Sequence, residues 1–284
     1  MSRIIALVDG SVYSRSVCDH AAWIASRTGS GVELLHVLRR NHAAAGPNNL
    51  SGNIALGART ALLTELSERD AQAARISQEF GRVILEQGHE QLTAAGIADV
   101  TTRLRIGDIV EEVAAFEADA DIVVIGKRGD AADFAKLELG SNLERIARTC
   151  RKPVFVAARA FTPVDRFLIA FDGGASSRKA VDHVAASPLF AGLACSLLAV
   201  GPDTPAVRGP LDAARATLEA AGYDVDAEIV QGPPDLLIAA AVETQNIGLL
   251  VMGAYGHSRI RNLIIGSTTA EMIRLCKIPV VLFR

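Results

Sequence analysis

Two glycines, Gly253 and Gly256, are followed after nine intervening residues by Gly266-Ser267, between the apolar runs GLLVM (248 to 252) and PVVLF (279 to 283). Glycines at these spacings after a buried strand let backbone N–H groups approach a phosphate closely, and the serine opens the next helix, whose N-terminus favours anions. The chain contains a second run of this kind, Gly126-Lys-Arg-Gly129, with Gly140-Ser141 ten residues on. An Asp-Gly pair also ends the first apolar strand of each half, Asp9-Gly10 after RIIALV and Asp172-Gly173 after RFLIAF. A carboxylate there can accept hydrogen bonds from a ribose or an adenine edge; taken alone, it is equally readable as a cap on the following helix.

The elements that carry these residues recur. Asp9 matches Asp172 and VELLHV (32 to 37) matches CSLLAV (195 to 200) at an offset of 163, while Gly140-Ser141, Cys150 and Pro153 match Gly266-Ser267, Cys276 and Pro279 at 126. A repeat of this length is a duplicated domain. The offset changes because Val37 to Gly107 spans 70 residues and Val200 to Gly232 only 32. The extra stretch, about 43 to 95, contains a helical pattern from about Thr60 to Ala95, with Leu62, Leu66, Ala73, Ile76, Phe80, Ile84 and Leu85 along one face. It reads first as a longer crossover helix packed on the sheet, and second as a lid or partner-binding arm. The predicted units are 1–160 and 161–284, joined through AARAFTPVDR (157 to 166).

Short apolar strands alternating with helical stretches imply a mostly parallel sheet with helices on both faces. In such a sheet ligands sit beyond the carboxyl ends of the strands, where strand order reverses. Asp and glycine run then face one crevice.

Composition narrows the function classes. Of 284 residues, 50% are hydrophobic and 21% charged, as in an α/β protein, and the net charge of −3 offers no electrostatic case for nucleic acid or an anionic membrane. No apolar run reaches the roughly 18 residues of a membrane span, and the N-terminal apolar run is too short for a secretory signal, so a cytoplasmic location is expected. Cys18, Cys150, Cys195 and Cys276 form no metal-ligand spacing and read as free buried thiols. Of the six histidines only His257 falls in a candidate site; His20 and His183 lie in the first helix of each unit. The P-loop, dinucleotide, zinc-protease and serine-hydrolase patterns are all absent.

Taken together, the spacing Gly253, Gly256, Gly266, Ser267 and the opening VDGSVYS (8 to 14) resemble the universal stress protein family in its tandem, two-domain form. FDGGASS (171 to 177) departs from that opening, with Gly174 where serine is usual. The resemblance implies two doubly wound, five-stranded parallel α/β sheets of order 3-2-1-4-5, an adenine nucleotide alpha-hydrolase-like fold whose domains pair through their last strands. It also implies binding of ATP or another adenine nucleotide, with or without Mg, and assembly as a homodimer. Carried over, Asp172 and Val200 would take the ribose and adenine side, and Gly253, Gly256, Gly266, Ser267 and Thr268 would cradle ribose and phosphates. The first-half counterparts are Asp9, Val37, Gly126, Gly129, Gly140 and Ser141.

The two loops differ in charge. HSRIRNLII carries Arg259 and Arg261, with His257 able to add to them, for a net of +2; DAADFAKLEL carries Asp130, Asp133 and Glu138 against Lys136, for −2. An ATP tail bears about three to four negative charges, which favours the second loop. Lys127 and Arg128 soften the contrast if they turn inward. Ser141 with Glu144, and Thr268 with Glu271, read as capping boxes, the ligand-free explanation of both serine or threonine positions. The leading expectation is a nucleotide-binding stress or regulatory protein with its site in the second half. The alternatives are a slow ATPase or ATP-dependent enzyme of the same fold, although the SGGxDS pyrophosphatase loop is absent from both halves, and a scaffold for a non-nucleotide ligand.

Overall fold

The computed structural model describes residues 2–39, 56–128, 140–254 and 267–284. The first half runs β1 (Arg3–Leu7), α1 (Ser14–Thr28), β2 (Gly31–Leu38), α2 (Leu56–Ala94), β3 (Val100–Ile106), α3 (Ile109–Phe116), β4 (Ile122–Gly126), α4 (Ser141–Thr149) and β5 (Val154–Ala157). The second repeats this order as β6 (Arg166–Ala170), α5 (Ala175–Ala186), β7 (Ala194–Val200), α6 (Pro205–Ala220), β8 (Val225–Val230), α7 (Pro234–Thr244), β9 (Leu249–Gly253), α8 (Ser267–Leu275) and β10 (Val280–Phe283).

Strand order is β3-β2-β1-β4-β5 in the first half and β8-β7-β6-β9-β10 in the second, the expected doubly wound order. All pairings are parallel except one: β5 and β10 pair antiparallel, Phe155 opposite Val281, and this ladder makes a single ten-stranded sheet. Left alone, either strand would present a row of unpaired backbone groups.

Side-chain alternation assigns the two faces. From β1, Ile4 and Ala6 enter a core shared with α1, α2, α5 and α6, whereas Ile5 and Leu7 enter the core under α3, α4, α7 and α8. The first core is continuous across the β5–β10 seam, where fully buried Phe155 and Phe167 lie in one cluster with Phe283.

Helix α2 begins four residues before the expected Thr60 and does not bury one continuous face. Ile84, Leu85 and Leu92 are buried against the sheet, and Gly81 and Gly88 let the helix close on His36, Leu104 and Leu34. Towards the N-terminus the packing ends: residues 67–76 are all exposed, and Ile76 and Phe80 keep 60% and 59% of their surface. At 1.5 Å per residue, the stretch before Gly81 is about 37 Å of helix. The 3.6-residue pattern identified a helix but not where the sheet beneath it stops. The side chains of Leu62 and Leu66 lie outside the described residues. The four cysteines are free and buried, and no helix among the described residues is long and apolar enough to cross a membrane.

Candidate functional site

The loops that leave β1 and β6 are tied by the aspartates. Asp9 Oδ1 accepts from Ser11 N (3.0 Å) and Ser14 Oγ (3.2 Å), while Ser14 Oγ accepts from the N–H groups of Asp9 (3.1 Å) and Gly10 (2.9 Å). Asp172 Oδ1 accepts from Gly174 N (2.8 Å) and Ser177 Oγ (2.6 Å). Gly10 and Gly173 sit at φ +79° and +73°, a backbone region that penalises any side chain. Neither aspartate is a helix cap, since Tyr13 and Gly174 hold the N-cap positions of α1 and α5. The loop-tying serines Ser14 and Ser177 were missed in the sequence, although both DGSVYS and DGGASS place a serine five residues after the aspartate.

Glycine at the end of β4 and β9 is a matter of approach distance. A Cβ on Gly253 would stand 2.9 Å from Ser176 Cβ and 3.3 Å from Ser177 N; on Gly126 it would stand 2.7 Å from Tyr13 Cβ. The N-terminus of the first helix in each half therefore rests against the last residue of the fourth strand. Thr269 Oγ1 donates to the Gly253 carbonyl (3.1 Å), which fixes the start of α8 over the same strand end.

Because β9, β6 and β7 are adjacent, Gly253, Asp172 and Val200 occupy the carboxyl ends of three neighbouring strands, and half-buried Thr268 lies in the first turn of α8. Strand order reverses between β6 and β9, where a doubly wound sheet holds its ligand. In the first half Asp9, Val37 and Gly126 occupy the same places beside Gly140 and Ser141 at the start of α4. Gly256, His257, Arg259, Arg261 and Gly266, and Gly129 with the loop after it, lie outside the described residues; Ser267 heads α8, its side chain not described. The space a Cβ on Gly253 would need is taken by Ser176 and Ser177 of α5, and that beside Gly173 by Pro210 and Phe171, so these two glycines are explained by the packing of the loop itself. Among the described residues no group of His, Cys, Asp or Glu could hold a metal ion.

Both capping boxes require correction. Gly140 is the N-cap of α4 and no side chain caps the helix, because Ser141 is already its first helical residue. In the second half α8 starts at Ser267, which places Thr268 inside the helix. The helix begins one residue earlier than a box would need in the first half and two residues earlier in the second.

Lys127 does not turn into the first-half crevice. It is 92% buried, counted from its 8% exposure, and its Nζ donates to the carbonyl of Cys276 just beyond α8. Burial pulls its pKa down to about 8. The equivalent place after Gly253 is Ala254. His20, as its helix position suggested, is a packing residue. Its Nδ1 donates to Ser16 O (2.7 Å), its ring packs on Phe155 and Phe161, and burial lowers its pKa.

Comparison with known proteins agrees with this architecture. The family described as "Universal stress protein family" matches residues 1–158 and again 163–284. A universal stress protein of Synechocystis sp. is 36% identical over 287 residues, with all of both chains covered. Among solved structures, a universal stress protein from Archaeoglobus fulgidus superposes with a TM-score of 0.71 at 22% identity, over 99% of this chain and 98% of its own. A putative universal stress protein from Pseudomonas aeruginosa superposes at 0.62 and 17% identity, over 100% and 93%. With two consecutive family matches and a full-length relative, the chain belongs to the universal stress protein family as a tandem member.

Proposed function

We propose that the protein is a stress-response or regulatory protein that binds an adenine nucleotide, ATP, ADP or AMP, in its second half, taking the two units as residues 1–160 and 161–284. The observation that carries this reading is the convergence of Asp172, Val200 and Gly253 on adjacent strand ends at the reversal of strand order, with α8 opening above them. Asp172 is the partner for the ribose and adenine side, and Val200 forms the base. Gly253, Gly256, Gly266, Ser267 and Thr268 hold ribose and phosphates, with His257, Arg259 and Arg261 supplying positive charge. The first-half set, Asp9, Val37, Gly126, Gly129, Gly140 and Ser141, supports the fold more than it binds, because its loop carries the opposite charge. Homodimer formation and a cytoplasmic location belong to the same reading.

Calorimetry with ATP, ADP and AMP, with and without Mg, on the wild type and Gly266→Val tests it. Saturable binding to the wild type that the substitution removes is expected, and absence of wild-type binding refutes it. Multiple-turnover ATP hydrolysis abolished by Gly266→Val would instead favour the enzymatic reading.

A further inference from the structure

Where the two halves meet, a cavity of ≈ 190 Å³ opens between the end of β4 and the C-terminal end of α8. That is far more than the about 10–15 Å³ a single bound water needs. Five cations line it, Lys127 and Arg128 after β4, Arg159 after β5, and Arg274 and Lys277 around the end of α8, together with Tyr13. No acidic side chain lines it among the described residues. Arg274 is bridged by Glu271 within α8 (2.5 Å), which leaves the positive excess intact.

Lys127 makes this more than a collection of surface charges. The residue is nine-tenths buried, its ammonium is held by one carbonyl, that of Cys276, and no carboxylate among the described residues lies within ion-pair distance of it. A buried cation with no counter-ion carries a desolvation cost that Coulomb attraction would normally offset. An anion in the cavity supplies such a charge, and Arg159 and Lys277 supply further donors for a polyphosphate.

Pseudo-symmetry shows that the feature belongs to one side only. At the pseudo-equivalent positions Ala254 replaces Lys127 and Ser176 replaces Tyr13. The space beside Asp9 is also narrowed: a Cβ on Gly10 would lie 2.8 Å from Ile84 Cδ1 and 3.5 Å from Phe80 Cε1, so α2 stands where a nucleoside would approach.

We propose that this junction cavity binds a small free polyphosphate anion, separately from the adenine nucleotide assigned to the second half. Occupancy would bridge Lys127 and Arg159 of the first half with Arg274 and Lys277 of the second.

Titration calorimetry of the full chain with inorganic pyrophosphate at low ionic strength tests it. The wild type should bind one equivalent at pH 7. The double variant Arg159→Glu/Lys277→Glu, both residues exposed, should bind at least 10-fold more weakly. Arg259→Glu, in the second half's glycine run, should leave the affinity unchanged. Affinity should also fall as pH rises from 7 to 9.5, and this fall should be absent in Lys127→Met. The charged and titratable groups facing Lys127 are Arg128, Tyr13, Arg159, Arg274, Lys277, the Cys276 thiol and, on α1, His20. Three results would overturn the proposal: no pyrophosphate binding by the wild type, full affinity in the double variant, or loss of binding in Arg259→Glu. ATP bound by Arg259→Glu as tightly as pyrophosphate would also overturn it, by placing the phosphates on a nucleotide. Because pyrophosphate binding is read without ATP, failure here leaves the nucleotide reading standing, and the reverse also holds.

Discussion

The two halves share strand order, glycine positions and the aspartate-tied loop, yet differ at nearly every place where charge or length is free to vary. After the fourth strand, the first half continues with Lys127 and Arg128 and then an acid-rich loop, whereas the second continues with Ala254 and a loop bearing Arg259 and Arg261. The crossover helix is 39 residues in the first half and 16 in the second. The shared features are those that backbone geometry demands, such as the close approach of α1 to Gly126 and of α5 to Gly253. The features that diverge are side-chain charge and the length of a connection, which backbone geometry leaves free. Duplication thus kept one scaffold twice and left each copy to acquire its own electrostatics.

The largest test concerns the crossover helices. Ile84→Ala in α2 and Leu211→Ala in α6 should each cost about 2–5 kcal/mol in urea unfolding, because both side chains are buried. Ile76→Ala, on the exposed part of α2, should stay within about 0.5 kcal/mol. A large effect at Ile76 would mean that the longer helix is packed along its whole length, and the contrast with α6 would fail.

Next is the ligand contrast. Asp172→Ala should weaken ATP binding by about 1.5–3 kcal/mol, the value of a hydrogen bond to a charged group, whereas Asp9→Ala should leave it unchanged. Equal losses from the two substitutions would make the halves equivalent sites.

The glycines sharpen what is common. Gly126→Ala and Gly253→Ala should each destabilise by about 1–3 kcal/mol in thermal or chemical unfolding, since either Cβ would push away the N-terminus of the first helix of its half, α1 or α5. Only Gly253→Ala should also lower ATP affinity.

The smallest effect distinguishes Lys127 from Ala254. The ammonium's pKa falls from 10.5 unfolded to about 8 folded, so its burial penalty is fully present below pH 8 and fades as pH rises from 8 towards 10.5. Lys127→Met should therefore gain stability relative to the wild type at pH 7, less whatever is lost by leaving the Cys276 carbonyl without its donor, and that advantage should shrink by pH 9. The comparison stops near pH 9 because the buried thiols Cys18, Cys150 and Cys195, whose pKa values are raised to about 12, weaken the fold above it. A pH-independent difference would show that Lys127 is not buried as an unpaired cation.

What was legible in the chain was whatever the backbone itself encodes. Continuous apolar runs marked the strands, which are buried on both faces, the change in repeat offset located α2, and Asp9, Asp172, Gly126 and Gly253 marked the strand ends, because a tight loop or a close approach restricts residue type locally. The β5–β10 ladder, the end of α2's support at Gly81, the earlier starts of α4 and α8, and the reach of Lys127 to Cys276 were decided by tertiary structure. Each depends on where a second element, distant in sequence, presents its surface. Residue types and spacing along one segment carry no record of that distance, and so the aspartate and glycine positions at the strand ends were readable from sequence while the basic cavity between the halves was not.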